Sequence, residues 1–214
     1  MKRLLVLRPQ PGNEATAERA RRMGLGALPC PLFAVEAVEW SAPSAADFDH
    51  ILFTSANALR HGGKGLASLT DLEALSVGPA TADAARAAGF RVAMTGERGV
   101  AALLKALPDA RRLLHLAGAE HRSVSTRHAI ETVIVYQSKA LAAVIPSGPS
   151  VVLVHSPRAG ARLAELAPDR ASLSIAAISA AAATECGTGW AALEVADQPD
   201  DAALLALAAR LCQD

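Results

Sequence analysis

The chain has 214 residues, 51% of them apolar, and carries 21 Lys plus Arg against 21 Asp plus Glu. It can therefore bury one large or two small cores, and it has no net field to gather nucleic acid, membrane surface or a polyanion. Three cysteines without CxxC spacing and 3% aromatics point to neither a disulfide framework, a zinc site nor a stacking platform for bases.

Residues 1–7 begin like a signal peptide, but the apolar run stops at Arg8-Pro9. A strand over Arg3–Leu7 is the better reading. No stretch approaches the roughly 20 apolar residues of a membrane span, so a cytoplasmic protein is expected. From there short β-type runs alternate with alanine-rich amphipathic stretches. A helix is expected over Asn13–Met23, a strand at His50–Phe53, a helix over Ser55–Gly62, a strand at Ala74–Val77 and a helix over Pro79–Ala88. A strand at Arg91–Ala93, a helix over Val100–Leu107, and strands at Leu113–Leu116 and Thr132–Gln137 follow. The remainder reads as strand Val151–Val154, helix Arg158–Leu166, strand Ser174–Ile178, helix Ala180–Cys186, strand Ala192–Ala196 and helix Asp201–Cys212. Alternation of this kind is the pattern of βαβ units with a parallel sheet. Helix starts bearing Asn, Ser, Thr, Pro or Asp supply caps and first turns.

An internal repeat runs through these elements. Ile51-Leu52-Phe53-Thr54-Ser55 and Val152-Leu153-Val154-His155-Ser156 match at an offset of 101 (156 − 55 = 101), and the same offset relates Gly78 to Ser179 and Ala101 to Ala202. Two copies of one α/β domain are implied. The opening strand and helix precede the first copy and need a sheet to join, which makes one domain discontinuous. The chain then crosses between domains twice, near residues 34–41 and 131–138, and both crossings are β-type. A hinge with a cleft beside it is the expectation.

Four strand-to-helix turns carry hydroxyl or amide side chains: Thr54-Ser55-Ala56-Asn57, Gly78-Pro79-Ala80-Thr81, His155-Ser156-Pro157-Arg158 and Ile178-Ser179-Ala180. Such turns, at the carboxyl ends of parallel strands, suit carboxylates or phosphates and equally serve as plain helix caps. Arg8 ends the first strand, where a guanidinium binds a carboxylate bidentately or sits as surface charge. Tyr136 is the only tyrosine and lies in the second crossing. Its phenol is a hydrogen-bond donor or a packed aromatic. Six histidines show no HxxxH or HExxH spacing, and GxGxxG, GxxxxGK[ST] and GxSxG are absent, so metal, nucleotide and serine-hydrolase chemistry lack support.

Taken together, Leu5-Val6-Leu7-Arg8-Pro9, Asp49 to Ala58, Ser76 to Ala82, Val135-Tyr136, Val154 to Ala159 and Ile178-Ser179 resemble the uroporphyrinogen-III synthase family over nearly the whole chain. The resemblance implies an α/β fold of two flavodoxin-like parallel-sheet domains joined by a two-stranded β linker. Residues 1–34 plus 139–214 would form the discontinuous domain, 41–131 the other, and 35–40 with 132–138 the linker. It implies cyclisation of hydroxymethylbilane with inversion of ring D, which needs no cofactor; the charge balance and composition add the expectation of a monomer without metal, nucleic-acid or membrane partners. Arg8, Ser55, Asn57, Thr81, Ser156 and Ser179 would be the substrate-binding groups, with Ser55, Asn57 and Ser156 at the turns that hold the acetate and propionate arms, and Tyr136 would be the candidate proton donor. The second copy reads Ser179-Ala180-Ala181-Ala182 where relatives often carry Gly-Pro and threonine, and Ser123–Glu131 is shorter than usual. The rival readings are a two-lobed small-anion binding module without catalysis and a nucleotide-sugar transferase, the latter disfavoured by the missing glycine motifs.

Overall fold

In a computed structural model, which describes residues 2–213, the chain divides into two compact units. Unit 1 is Met1–Ala34 with Lys139–Asp214 and unit 2 is Val35–Ser138; residues 1 and 214 lie outside the description. Unit 1 contains β1 (Arg3–Val6), α1 (Gly12–Arg22) and β2 (Ala27–Pro29) before the chain leaves through β3 (Phe33–Ala37). Unit 2 follows with β4 (His50–Phe53), α2 (Ala56–His61), β5 (Glu73–Val77), α3 (Pro79–Ala87), β6 (Val92–Gly96), α4 (Val100–Ala106) and β7 (Arg112–Gly118). It closes with β8 (Ala129–Ala140). Unit 1 resumes with β9 (Ser150–Val154), α5 (Pro157–Leu166), β10 (Leu173–Ala177), α6 (Ala180–Cys186), β11 (Ala192–Val195) and α7 (Asp201–Gln213).

The strands are apolar at successive positions because both faces of each sheet are covered. Along β1 and the residue after it, Leu4 and Val6 enter one core while Leu5 and Leu7 enter another, and in β9 Val151 and Leu153 part from Val152 and Val154 in the same way. Unit 2 repeats the arrangement: Ile51 and Phe53 of β4 face one cluster and Leu52 the other. Each fully buried Leu, Val or Phe in these layers stabilises by about 1.5–3 kcal/mol relative to exposure.

Unit 1 has the order β11-β10-β9-β1-β2 and unit 2 the order β3-β8-β7-β4-β5-β6. All four pairings within unit 1 are parallel, as are those linking β4, β5, β6, β7 and β8. The repeat equates β4, β5 and β6 with β9, β10 and β11. Reading the two sheets in that register, β7 and β8 stand where unit 1 has β1 and β2. Unit 1 is thus a circular permutant of unit 2, with its fourth and fifth strands moved to the front of the chain. That gives unit 1 the flavodoxin-like order 2-1-3-4-5 and unit 2 the order 3-2-1-4-5 with β3 added at the edge. The opening strand and helix, unpartnered in sequence, fill the places of β7 and its connection.

β3 lies beside β8. Val38 N–H donates to Val135 C=O and Leu141 N–H to Leu32 C=O; positions rise on one strand as they fall on the other, so the pair is antiparallel.

Sequence and structure differ at a few elements. β2 is not anticipated, being three residues long and ending in Pro29, which limits it to a sheet edge. Asn13 does not cap α1; its Nδ2 donates to the carbonyls of Val6 at 2.7 Å and Arg8 at 2.8 Å, tying the helix start to the end of β1. β8 extends further at both ends than Thr132–Gln137, over twelve residues.

Candidate functional site

Each sheet presents its strand-to-helix turns at its carboxyl edge. In unit 1 these are the turns after β1, β9 and β10. Ser156 caps α5 by accepting from Ala159 N–H at 3.2 Å, and Ser179 caps α6 by accepting from Ala182 N–H at 3.3 Å. In unit 2 Ser55 caps α2 by accepting from Asn57 N–H at 3.2 Å. All three serines therefore do structural work through one lone pair, and each hydroxyl hydrogen stays available to an acceptor such as a carboxylate. The departure at Ser179 has a backbone cause: Gly78 begins α3 at φ 80°, a left-handed conformation, whereas Ser179 begins α6 at φ −158°. Extended backbone at the second position accepts serine where the first needs glycine.

Asn57 turns its Oδ1 to Arg60 Nη1 at 3.0 Å, and Thr81 is buried in the first turn of α3.

Arg8 is not a free cation. Its Nη1 lies 3.4 Å from Asp201 Oδ1 and 3.4 Å from Thr16 Oγ1. Asp201, at the start of α7, also accepts from Thr16 Oγ1 at 2.9 Å, from Arg19 Nε at 2.8 Å and meets His155 Nε2 at 2.9 Å. Burial works against the ionised carboxylate, but the hydrogen bonds from His155, Arg19 and Thr16 outweigh it and hold the acid well below the usual carboxylate range. This Arg8–Asp201–His155 cluster escapes sequence reasoning because its members lie far apart in the chain. The Asp at the head of the last helix is the one available sign.

Unit 2 holds a cavity of about 670 Å³, within the range of small-molecule sites. Tyr136, Thr54, Ser55 and His115 line it. Tyr136 lies opposite Gly118, where a bulge interrupts the β7–β8 register, and the ring takes the space a side chain at Gly118 would need. His61 stands 6.3 Å from the Tyr136 ring, centroid to centroid. Deeper in, His115 Nε2 is 3.0 Å from Thr54 Oγ1, and its ring packs edge-on against His121 at 5.8 Å. Burial first, and the neighbouring His121 second, push the His115 imidazole down to about 4, so it is neutral at pH 7. His121 Nδ1 in turn reaches Gly118 C=O at 3.1 Å.

The structure therefore brings Ser55 and Tyr136 into one cavity, keeps Asn57 and Thr81 outside its lining, and sets Arg8, Ser156 and Ser179 along the carboxyl edge of the other sheet. His115 and His121, without recognisable spacing, complete the cavity. Among the described residues no three His, Cys, Asp or Glu side chains are placed to hold a metal ion, and no helix is long and apolar enough to cross a membrane.

A sequence model of the family described as uroporphyrinogen-III synthase HemD matches residues 14–206. Among solved structures, the chain is similar to uroporphyrinogen-III synthetase from Helicobacter pylori 26695, with 18% identity, a TM-score of 0.71 and coverage of 99% of this chain and 100% of that one. It is also similar to a mutant uroporphyrinogen III synthase from the extremely thermophilic bacterium Thermus thermophilus, with 18% identity, a TM-score of 0.54 and coverage of 100% and 99%. At that identity the likeness speaks to the fold. No curated protein matches the sequence.

Proposed function

The chain belongs to the uroporphyrinogen-III synthase family, and we propose on that footing that it converts hydroxymethylbilane to uroporphyrinogen III and water, as a lyase of tetrapyrrole biosynthesis. The family match over residues 14–206 carries this reading, and the two parallel-sheet units agree with it.

The chemistry asks little acid–base power of the protein. The terminal hydroxyl leaves as water, giving an azafulvene electrophile; the substituted carbon of ring D attacks it to form a spiro intermediate, and fragmentation and reclosure invert that ring. Substrate supplies both nucleophile and electrophile, so the protein's share is to fold the chain, exclude water and suppress unflipped closure. Tyr136 donates its phenolic proton to the departing hydroxyl, and the proton released when the closed ring re-aromatises restores the phenol. Ser55, Asn57, Thr81, Ser156 and Ser179 offer hydroxyl, amide and helix N-terminal donors to the acetate and propionate arms, and Arg8 adds charge. Arg8 does so as part of its Asp201 pair. In this reading residues 1–34 plus 139–214 and 41–131 are the two domains, β3 and β8 contribute the linker at 35–40 and 132–138, and the protein is a cytoplasmic monomer.

The test is to supply purified protein with freshly generated hydroxymethylbilane, oxidise the product and separate the type I and type III uroporphyrin isomers. Excess type III is the expected result. Type I alone, as in the uncatalysed control, overturns the synthase reading and leaves a small-anion binding module.

A further inference from the structure

The repeat sets His155 against Thr54 and Asp201 against Val100 (155 − 54 = 101; 201 − 100 = 101). Where unit 2 has a hydroxyl and an apolar side chain, unit 1 has an imidazole and a carboxylate, and the carboxylate gathers two guanidiniums that it does not serve equally. Arg19 reaches Asp201 Oδ2 through Nη2 and through Nε at 2.8 Å, whereas Arg8 reaches Oδ1 through Nη1 alone, at 3.4 Å. Oδ1 is already engaged by Thr16 and His155, each at 2.9 Å. Arg19 thus neutralises the acid, and the excess positive charge of the Arg8–Arg19–Asp201 group rests on Arg8.

The tether occupies one corner of the Arg8 guanidinium. Among the described residues its Nε and Nη2 have no hydrogen-bond partner, and neither is shut away from solvent. This Nε–Nη2 side is one of the edges with which a guanidinium grips a carboxylate through two parallel hydrogen bonds. Gly12, the first residue of α1, packs on that side. A Cβ at Gly12 would lie 2.5 Å from Arg8 Nε, 2.8 Å from Cζ and 2.9 Å from Nη2, and these are its three nearest atoms. An added methyl therefore meets first the far end of one flexible side chain, which must leave its place. Gly12 is not among the glycines with positive φ, and glycine is a poor helix former. What glycine supplies at this position is room for the guanidinium.

We propose that Gly12 is a positioning residue for Arg8: by withholding a side chain it lets the guanidinium lie against the start of α1, with Nη1 tethered to Asp201 and Thr16 and the Nε–Nη2 edge presented to one carboxylate arm of the substrate. That this carboxylate belongs to a tetrapyrrole rests on the synthase reading; the pose of the guanidinium does not.

The experiment compares Gly12→Ala, Arg8→Ala and the double variant in the isomer assay, with the melting temperature of each. Gly12→Ala is expected to keep the wild-type kcat and melting temperature and to raise KM about fivefold or more. In the Arg8→Ala background the same substitution should add nothing to KM, because its effect passes through the guanidinium. A wild-type KM in Gly12→Ala, a lowered melting temperature, or a full further rise of KM in the double variant overturns the proposal. If the wild type forms no type III product, the synthase reading fails, and the pose is then decided by NMR from the rate of rotation about the Arg8 Nε–Cζ bond. Slower rotation in the wild type than in Gly12→Ala upholds the positioning by Gly12; equal rates overturn it.

Discussion

Tyr136 fits against β7 because residue 118 is glycine: a Cβ at Gly118 would lie 2.5 Å from Tyr136 Cε2 and 2.9 Å from its phenolic oxygen. No real Cβ tolerates such contacts, so one added methyl must move the ring. Gly118→Ala is expected to cost about 1–3 kcal/mol of stability by overpacking and to lower kcat in the isomer assay as strongly as Tyr136→Phe, with the fold retained by circular dichroism. A Gly118→Ala enzyme at full rate would show that the position of the phenol is not critical. An unchanged rate in Tyr136→Phe would leave the ring a packing role.

Burial of the His115 imidazole, with His121 beside it, makes stability depend on pH in a defined window. The folded imidazole is held at about 4, against an ordinary value of about 6.5 in the unfolded chain. Between those values the unfolded state binds more protons, so this contribution is complete above about pH 6.5 and is lost as the pH falls toward 4. At most it amounts to about 3 kcal/mol. His61, lowered by burial first and Arg60 second, acts in the same direction. Asp201, depressed by its hydrogen bonds against the cost of burial, contributes stability that is retained through this window and lost only in more acidic solution. Denaturant unfolding from pH 7 to pH 4 should therefore show a decline that His115→Gln makes shallower. Equal slopes for the two proteins would contradict the assignment to His115.

Much of this architecture is legible in the residues. β1 and β9 are continuous apolar runs because they are covered on both faces, and Ser55, Ser156 and Ser179 stand at the cap positions that end such strands. The offset between the copies is equally visible. What hides is whatever depends on strand order in space. The orphan opening strand and helix show that one domain is discontinuous, but not that β1 and β2 take the places of β7 and β8, since a circular permutation preserves the sheet and scrambles the sequence. The His155–Asp201 contact joins residues 46 positions apart, and His115 meets His121 across a bulge and a turn that carry no motif. Pattern reading finds periodicity within an element; these contacts arise between elements.

Asp201 and Arg8 should respond unequally to truncation. Asp201 is the shared acceptor for Arg8, Arg19, Thr16 and His155, and its side chain is only 18% exposed. Asp201→Ala leaves those donors without their acceptor and is expected to cost about 2–4 kcal/mol. Arg8 is 35% exposed and 3.4 Å from the carboxylate, so Arg8→Ala should cost about 0–1 kcal/mol. Its effect should appear instead as a raised KM. A large stability loss with unchanged KM in Arg8→Ala would make the guanidinium purely structural.

Ser156 allows capping and ligand binding to be separated at one position. Its Oγ accepts from Ala159 N–H, a function that Asp performs as well as Ser, while Ala forfeits about 1 kcal/mol. A carboxylate at the same place would repel the acetate or propionate arm that the turn is proposed to hold. Ser156→Asp is therefore expected to melt like the wild type and to raise KM at least tenfold, whereas Ser156→Ala should lose stability with a smaller change in KM. If Ser156→Asp retained both the melting temperature and KM, this turn would be a helix cap and nothing more, and the substrate's carboxylates would have to be held elsewhere.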